Sequence, residues 1–224
     1  MAAGEGRRLR PLTERWPKPL LPVDGRPVLA TLLHELVAAP VGAVTVVVGH
    51  LGGQVEALLG DGSAWKVEVR TVRQPEPLGS ADAVRRALEA GAAPPLLVTA
   101  ADTVFRAGDI ARAAETWLAS GADGGLGVRL GGGPEKTPVR VEDGFVVGLG
   151  GEQLDGPTAA PLWCLDEGLV VSLDALPGPP YELARAFQEA LARNTSIMGL
   201  ELGATRDLTH PEDVVTENFP YLWV

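Results

Sequence analysis

The amino-acid sequence predicts an α/β fold in which a mostly parallel sheet is flanked by helices. Apolar strand-like segments alternate with segments of helical periodicity through the first half of the chain, and such alternation is typical of parallel sheets. Near residue 124 the pattern changes to short consecutive strands, with Asp143-Gly144 as a hairpin turn. We therefore expect one domain over residues 1–224, with a change of character after residue 122.

Hydrophobic periodicity and turn residues place the individual elements. The predicted helices cover residues 27–39, 54–60, 80–91, 108–121, 180–194 and 209–218. The predicted strands cover residues 43–49, 65–72 and 94–102, followed by short strands within 125–165. Ser80 is the expected N-cap of the helix that begins there. Trp163 and Cys164 lie in an apolar run and are expected to be core residues.

The distribution of charge is uneven. The chain has a net charge of −10, which argues against general binding to nucleic acid or to an anionic membrane. Its first 26 residues nevertheless hold six Lys and Arg residues against three acidic ones. This local excess predicts a site for a small polyanion near the start of the chain.

A glycine pair, Gly4 and Gly6, lies within this basic segment. Glycines let backbone N–H groups approach a ligand closely, a geometry that suits phosphate oxygens. The pair is not a dinucleotide-binding fingerprint, because Leu9 stands at the third glycine position. It is not a Walker loop either, because no Gly-Lys-Ser/Thr follows at the required distance.

The cysteines, histidines and apolar segments of the sequence bear on disulfide bonds, zinc sites and membrane spans. The single Cys164 rules out an intramolecular disulfide framework and fits a reducing cytoplasm. No segment has the length and apolarity of a membrane span, and no signal peptide is visible. The three histidines lack the spacing of zinc ligands. We therefore expect a cytoplasmic protein without a zinc site.

The opening segment AAGEGRRLRPLTERWPKPLLPV resembles the signature of the sugar-phosphate nucleotidyltransferases, whose pattern is roughly L-A-A-G-x-G-T-R-L-x-P-L-T followed by P-K-P. Further similar segments follow in the family's order: QPEPLGSADAV at 74–84, VTAADTVF at 98–105, VEDGFVVGLGGEQ at 141–153 and RDLTHPEDVVTENF at 206–219. The resemblance therefore covers nearly the whole chain. It implies a Rossmann-like, mixed and mostly parallel sheet, with a nucleotide-binding half at 1–122 and a sugar-binding half at 123–224.

The resemblance also implies a reaction and a set of site residues. A sugar 1-phosphate would attack the α-phosphorus of a nucleoside triphosphate and expel pyrophosphate, a transfer that depends on positioning and charge neutralisation. Arg8 and Lys18 are the implied catalytic residues. The other implied residues are Ala3, Gly4, Gly6, Gln74 and Gly79 for the nucleotide, Glu152 for the sugar, and Asp102 and Asp207 for Mg²⁺. Asp213 is close enough to Asp207 in sequence for either to be a helix cap instead.

The chain departs from the family pattern in two ways that bear on function. The apolar first strand expected before Ala2 is absent, which suggests a protein that starts upstream of Met1. The sugar-binding Glu is usually followed by a Lys that contacts the sugar phosphate, but Gln153 stands here. Lys136 is one residue that can supply the missing charge.

Other functions remain open at this level. One is transfer from CTP to a phosphoalcohol such as choline phosphate, and another is a regulatory subunit that binds nucleotide-sugars without catalysis. The sequence leaves the sugar and the nucleobase undetermined, since Gln74 can hydrogen-bond uracil, thymine or guanine. Apolar residues near the C-terminus predict a possible homo-oligomeric interface: Phe219, Tyr221, Leu222 and Trp223.

Overall fold

The computed structural model describes residues 1–131, 136–151 and 156–219. Its strands, in chain order, are β1 (Pro22–Val23), β2 (Arg26–Pro27), β3 (Ala43–Val48), β4 (Glu68–Arg73), β5 (Leu96–Thr99), β6 (Thr103–Val104), β7 (Gly124–Leu130), β8 (Val139–Glu142), β9 (Phe145–Leu149), β10 (Pro157–Leu165), β11 (Ile197–Leu202) and β12 (Arg206–Asp207). Its helices are α1 (Val28–Ala38), α2 (Gly52–Leu59), α3 (Ser80–Glu89), α4 (Asp109–Ser120), α5 (Glu167–Ser172), α6 (Leu183–Ala192) and α7 (Pro211–Asn218).

The central sheet is mixed. Strands β5, β10, β7, β11, β9 and β8 lie side by side in that order. The β7/β11 pair is parallel, while β10 runs antiparallel to both of its neighbours. Strands β3 and β4 form a separate parallel pair. With helices packed around these strands, the predicted α/β class with a mixed sheet is confirmed.

A three-residue segment, Met1 to Ala3, joins the two groups of strands. Ala2 forms a parallel bridge with Val48, and its N–H donates to the carbonyl of Val47 at 2.7 Å. On the other side, the Met1 ammonium donates to the carbonyl of Thr99 at 2.7 Å. The opening residues therefore lie between β3 and β5, at the start of the loop that carries the glycine pair.

Two apolar clusters hold the helices against the strands. One joins α1, α2 and α4 to β3, β10 and β11, and the other joins α3, α5 and α6 to β7, β9 and β10. Side chains alternate along a strand, so Leu162 and Cys164 enter the first cluster while Trp163 packs against the second. The side chains of Trp163 and Cys164 therefore lie on opposite faces of β10. Burial raises the pKa of the Cys164 thiol to about 12.

Local turn chemistry agrees with the sequence at the β8–β9 hairpin. Asp143 and Gly144 both have positive φ values, 50° and 83°, as a two-residue turn of this type requires. Ser80 is different, because the N-cap of α3 is Gly79 and Ser80 is the first helical residue. The expectation that Ser80 caps this helix is therefore wrong.

Among the described residues, no helix combines the length and apolar character needed to cross a membrane. Of the C-terminal residues predicted to form an interface, only Phe219 lies within the described part of the chain, where it is exposed. The other three lie outside the described residues.

Candidate active site

The opening loop is folded tightly around Gly6. Gly6 has a φ of 62°, and a Cβ atom at this position would lie 2.9 Å from the Thr13 side chain. The Thr13 hydroxyl donates to the Gly6 carbonyl at 2.9 Å, and the buried Leu9 anchors the turn that follows. Gly4 is exposed and faces open space. The loop is therefore fixed at Gly6 and accessible at Gly4.

The arginines of this loop are not equivalent. Arg7 donates to Glu5 at 2.7 Å and is exposed, and Arg10 also lies near the same carboxylate. The hydrogen bond and charge of Arg7 lower the pKa of Glu5 below its ordinary value. Arg8 instead lines a cavity together with Lys18 and Asp102. The residue at the predicted motif position is thus the one that faces a cavity.

Lys18 and Asp102 form an ion pair at this cavity. Lys18 begins a short 3₁₀ turn, Lys18–Leu20, that is preceded by Pro17. Asp102 lies three residues beyond the end of β5, in a region after a strand where side chains commonly form ligand sites. Both side chains are largely covered, with exposures of 17% and 29%, so the pair is held in a restricted environment.

Asp207 lies next to this pair because β12 runs antiparallel to β6. The register places Asp207 opposite Thr103, the residue that follows Asp102. Lys136 donates to Oδ2 of Asp207 at 2.7 Å, and Arg129 donates to the same oxygen at 3.3 Å. Asp213 is not an alternative at this site, because its carboxylate caps α7.

The charge state of Asp207 follows from these neighbours. Burial acts to raise the pKa of this carboxyl, but the hydrogen bond from Lys136, the nearby Thr103 hydroxyl and the charges of Lys136 and Arg129 outweigh burial. The pKa of Asp207 therefore lies below its ordinary value. Its second oxygen, Oδ1, is buried and has no hydrogen-bond partner among the residues that the structure describes. An ionised carboxylate with an unpaired buried oxygen is suited to a metal ion.

These side chains share a cavity of about 300 Å³, which we call the charged cleft. Its charged lining consists of Arg8, Lys18, Asp102, Arg129, Lys136 and Asp207. Trp163, Leu126 and Leu149 form an apolar wall. Four cations surround two carboxylates, so the cleft can hold phosphate groups together with a divalent cation.

Gln74 lines a second cavity of about 370 Å³, which Ala3 and His50 also line. Its amide nitrogen donates to the Gly79 carbonyl at 3.0 Å and to the Asp82 carboxylate at 2.8 Å. Both partners are acceptors, so they fix the orientation of the buried amide. The structure thus brings Ala3 and Gln74 to one cavity, with Gly79 held beside Gln74 by a hydrogen bond, and none of the three lines the charged cleft.

Among the described residues, no group of three or more His, Cys, Asp or Glu side chains is arranged so that it could hold a metal ion. A metal at this site would therefore depend on Asp102, Asp207 and oxygens of the substrate, as Mg²⁺ commonly does. Glu152, the predicted sugar ligand, and Gln153 lie outside the described residues.

Arg129 and Trp163 are residues of the charged cleft that were not predicted from the sequence. Arg129 is a buried cation on β7, and its presence within the otherwise apolar run GGLGVRL is a signal that could have identified it. Trp163 was expected to be a core residue, but it lines the cleft. Only the alternation of side chains along β10 distinguishes Trp163 from its buried neighbour Cys164.

Comparison with known proteins relates this site to one family. Residues 1–140 match the sequence model of a family described as nucleotidyl transferase. The chain is 41% identical over 109 residues to N-acetylmuramate alpha-1-phosphate uridylyltransferase of Neisseria meningitidis serogroup B, a match that covers 46% of each protein. It is 50% identical over 54 residues to 2-aminoethylphosphonate cytidylyltransferase of Lancefieldella rimae, which covers 24% of this chain and 22% of the relative.

These matches span less than half the length of the curated relatives. The similarity of fold extends further. A solved structure of UDP-glucose pyrophosphorylase in complex with UDP-glucose superposes with a TM-score of 0.83 over 99% of this chain and 96% of that one. The sequence identity in that comparison is 15%, so it supports the fold alone.

Proposed function

Because the chain belongs to the nucleotidyl transferase family, we propose that it transfers a nucleotidyl group from a nucleoside triphosphate to a sugar 1-phosphate. The products are a nucleotide-sugar and pyrophosphate. The observation that carries this proposal is the charged cleft, where four cations and two carboxylates meet beside the glycine loop. Both substrates are anions, so their reaction requires such a concentration of positive charge.

The opening loop and its cations would hold the triphosphate. The backbone N–H groups from Gly4 to Gly6 and the Arg8 guanidinium would bind its outer phosphates, and Arg8 would stabilise the leaving pyrophosphate. Lys18 would neutralise charge at the α-phosphate, where the attacking oxygen arrives. The Asp102 carboxylate keeps the Lys18 ammonium in place before the substrates bind. Such preorganised charges lower a barrier without reorganisation during the reaction.

Asp102 and Asp207 would hold Mg²⁺. The fit rests on the buried Oδ1 atom of Asp207, which has no hydrogen-bond partner among the described residues, and on the position of Asp102 one residue before Thr103, the strand partner of Asp207. When bound, the metal supplies charge neutralisation and polarisation of phosphate oxygens. Two carboxylates leave room for substrate oxygens in its coordination shell.

Ala3, Gln74 and Gly79 would bind the nucleobase. The amide nitrogen of Gln74 is already used by two acceptors, so its oxygen is the atom that would accept a hydrogen bond from the base. Residues 1–122 then serve as the nucleotide-binding half of a single domain. Residues 123–224 serve as the sugar-binding half, with Glu152 as a ligand of the sugar hydroxyls.

A cytidylyltransferase that acts on another phosphorus compound is the second candidate. The similarity to an enzyme named 2-aminoethylphosphonate cytidylyltransferase favours this alternative. A regulatory subunit that binds nucleotide-sugars is a third possibility, and the presence of Arg8, Lys18 and both carboxylates in one cleft argues against it. The two enzymatic candidates use different acceptors for the nucleotidyl group. A regulatory subunit would release no pyrophosphate.

The test is pyrophosphate release with Mg²⁺ over a grid of four nucleoside triphosphates and a panel of acceptors. The panel contains sugar 1-phosphates, choline phosphate and 2-aminoethylphosphonate, and the protein is assayed as printed and with an upstream extension. We expect release with a sugar 1-phosphate. Release only with CTP and a non-sugar acceptor would support the second candidate. Absence of pyrophosphate release from a folded protein that still binds a nucleotide-sugar would support the third candidate.

A further inference from the structure

The two oxygens of the Asp207 carboxylate have unequal surroundings. Oδ2 accepts hydrogen bonds from both Lys136 and Arg129, at 2.7 Å and 3.3 Å. Oδ1 is buried and has no hydrogen-bond partner among the described residues. The carboxylate is 16% exposed, so solvent does little to compensate for the unpaired oxygen. The arrangement concentrates two cations on one oxygen and leaves the other for a further ligand.

The two cations differ in how firmly they are held. Arg129 is 8% exposed, and its guanidinium also donates to the Thr205 hydroxyl. Lys136 is 33% exposed, and among the described residues its hydrogen bond is to Asp207. A lysine is a point charge on a flexible stem, whereas an arginine is a rigid fork. Lys136 can therefore leave Asp207 at a lower cost than Arg129 can.

A third cation at Asp207 would conflict with this arrangement. One guanidinium, one ammonium and a divalent ion around a single carboxylate repel one another strongly where solvent is largely excluded. The conflict is relieved if the more exposed cation moves away. Lys136 already lines the charged cleft with Arg8 and Lys18, so an anion bound in that cleft lies within reach of its side chain.

We propose that Lys136 is a positioning residue that changes partner when the substrates bind. In the metal-free protein it is the counter-ion of Asp207. When Asp207 binds Mg²⁺, Lys136 moves to the phosphate of the acceptor, while Arg129 stays and supports the carboxylate. This inference rests on the proposed function, because it assigns Lys136 to the acceptor phosphate of that reaction.

The exchange gives the cleft an order of events. Before the metal binds, Lys136 is paired with Asp207 and contributes little to phosphate binding. After the metal binds, the freed ammonium adds to the attraction for an anion. Metal and phosphate binding are then coupled through one side chain, and the coupling must be reciprocal. A lysine with a purely structural role would support both ligands without exchanging between them.

The test uses two binding measurements that need no turnover. Mn²⁺ binding to the nucleotide-free protein is followed by the electron paramagnetic resonance signal of the free ion. Binding of inorganic phosphate in the presence of saturating Mg²⁺ is followed by calorimetry. The variants are Lys136→Met, which removes the charge, and Lys136→Arg, which keeps it. Lys66→Met is the matched control, because Lys66 lies outside the charged cleft.

For Lys136→Met we expect opposite changes in the two affinities. Mn²⁺ should bind several-fold more tightly because its competitor is gone, and phosphate should bind about tenfold more weakly because a cation is lost. Lys136→Arg should recover phosphate binding, and Lys66→Met should match the unmodified protein. Weakening of both ligands would identify a structural anchor and overturn the exchange. Unchanged affinity for either ligand would overturn it as well.

The two proposals can fail separately. If no acceptor supports pyrophosphate release, the titrations with Mn²⁺ and phosphate still decide whether Lys136 exchanges partners. If the exchange fails, the release assay on the unmodified protein is unaffected, and Lys136 reverts to a structural counter-ion of Asp207.

Discussion

The short segment from Thr99 to Asp102 separates two cavities with similar volumes and opposite chemistry. Thr99 and Ala101 line an apolar cavity of about 350 Å³, whereas Ala100 and Asp102 line the charged cleft of about 300 Å³. Apolar side chains such as Leu33, Val46, Leu97 and Trp117 surround the first cavity. This short segment therefore has an apolar cavity on one side and the charged cleft on the other.

The comparison shows that volume does not identify a site. The apolar cavity is the larger of the two. Its lining resembles that of an incompletely filled hydrophobic core, and such cavities favour apolar occupants. The charged cleft is smaller but has convergent cations, an ion pair and a buried oxygen in need of a partner. Convergent polar groups, rather than space, mark the region that can bind and transform a ligand.

The largest expected effect concerns the charged cleft. Lys18→Gln removes the cation paired with Asp102 and should reduce the rate of pyrophosphate release by roughly 10²- to 10³-fold, the usual cost of losing one preorganised group. The measurement is the initial rate at saturating substrates, with Lys66→Gln as the control. A loss of less than threefold in a folded variant would remove Lys18 from the catalytic machinery.

The next effect concerns the apolar cavity. Met1 lines this cavity together with residues 43–46 of β3 and 96–98 of β5, so an N-terminal extension of four residues would run between the two strands. An extension made of Val and Leu should raise the free energy of unfolding by about 3 kcal/mol or more relative to one made of Gly and Ser, through burial of apolar side chains. Urea unfolding measures the difference. Equal stability of the two extended proteins would show that the cavity does not accept a strand.

A smaller effect comes from the terminus itself. Burial lowers the pKa of the Met1 ammonium from 8.0 to about 6, although the charge of Asp102 acts in the opposite direction. Between pH 6 and pH 8 the unfolded chain therefore binds more protons than the folded one, so the free energy of unfolding should rise with pH. The gain from pH 6 to pH 8 is at most about 3 kcal/mol. The Gly and Ser extension moves the ammonium away, so it should lose this component of the pH dependence.

The smallest effect separates two neighbouring arginines. Arg7→Gln removes an exposed partner of Glu5 and should change turnover by less than about twofold, since exposed ion pairs contribute little. Arg8→Gln should reduce turnover much more, because Arg8 lines the charged cleft. Rates measured side by side under identical conditions make the comparison. Equal losses would show that the general charge of the loop matters and the position of Arg8 does not.

The sequence was sufficient to predict the fold class and the members of the cleft that lie in motifs. The resemblance of the opening segment to the family signature singled out Arg8 and Lys18, and the resemblance of VTAADTVF to a family strand that ends in a metal-binding Asp singled out Asp102. The structure brings these three residues together with Asp207. Such residues are predictable because the features that position them are local: a glycine turn, a proline before Lys18 and the end of β5.

Other features depend on contacts between distant parts of the chain. A Cβ atom at Gly79 would lie 2.3 Å from the carbonyl oxygen of Tyr181, a segment that no local pattern connects to it. Ser80 does not cap its helix because its hydroxyl contacts Glu182 and Leu183 instead. Arg129 belongs to the cleft only because β12 brings Asp207 to it. Long-range packing decides these positions, so propensity and periodicity do not predict them.

If the charged cleft catalyses nucleotidyl transfer, phosphorus NMR of a single reaction mixture will reveal both products of the reaction. Protein, Mg²⁺ and the substrate pair identified by pyrophosphate release are mixed, and the phosphorus signals are followed with time. We expect equal amounts of pyrophosphate and a new diphosphate diester, with both signals suppressed by Lys18→Gln. Release of inorganic phosphate without the diester, or product formation that Lys18→Gln leaves unchanged, would contradict this expectation.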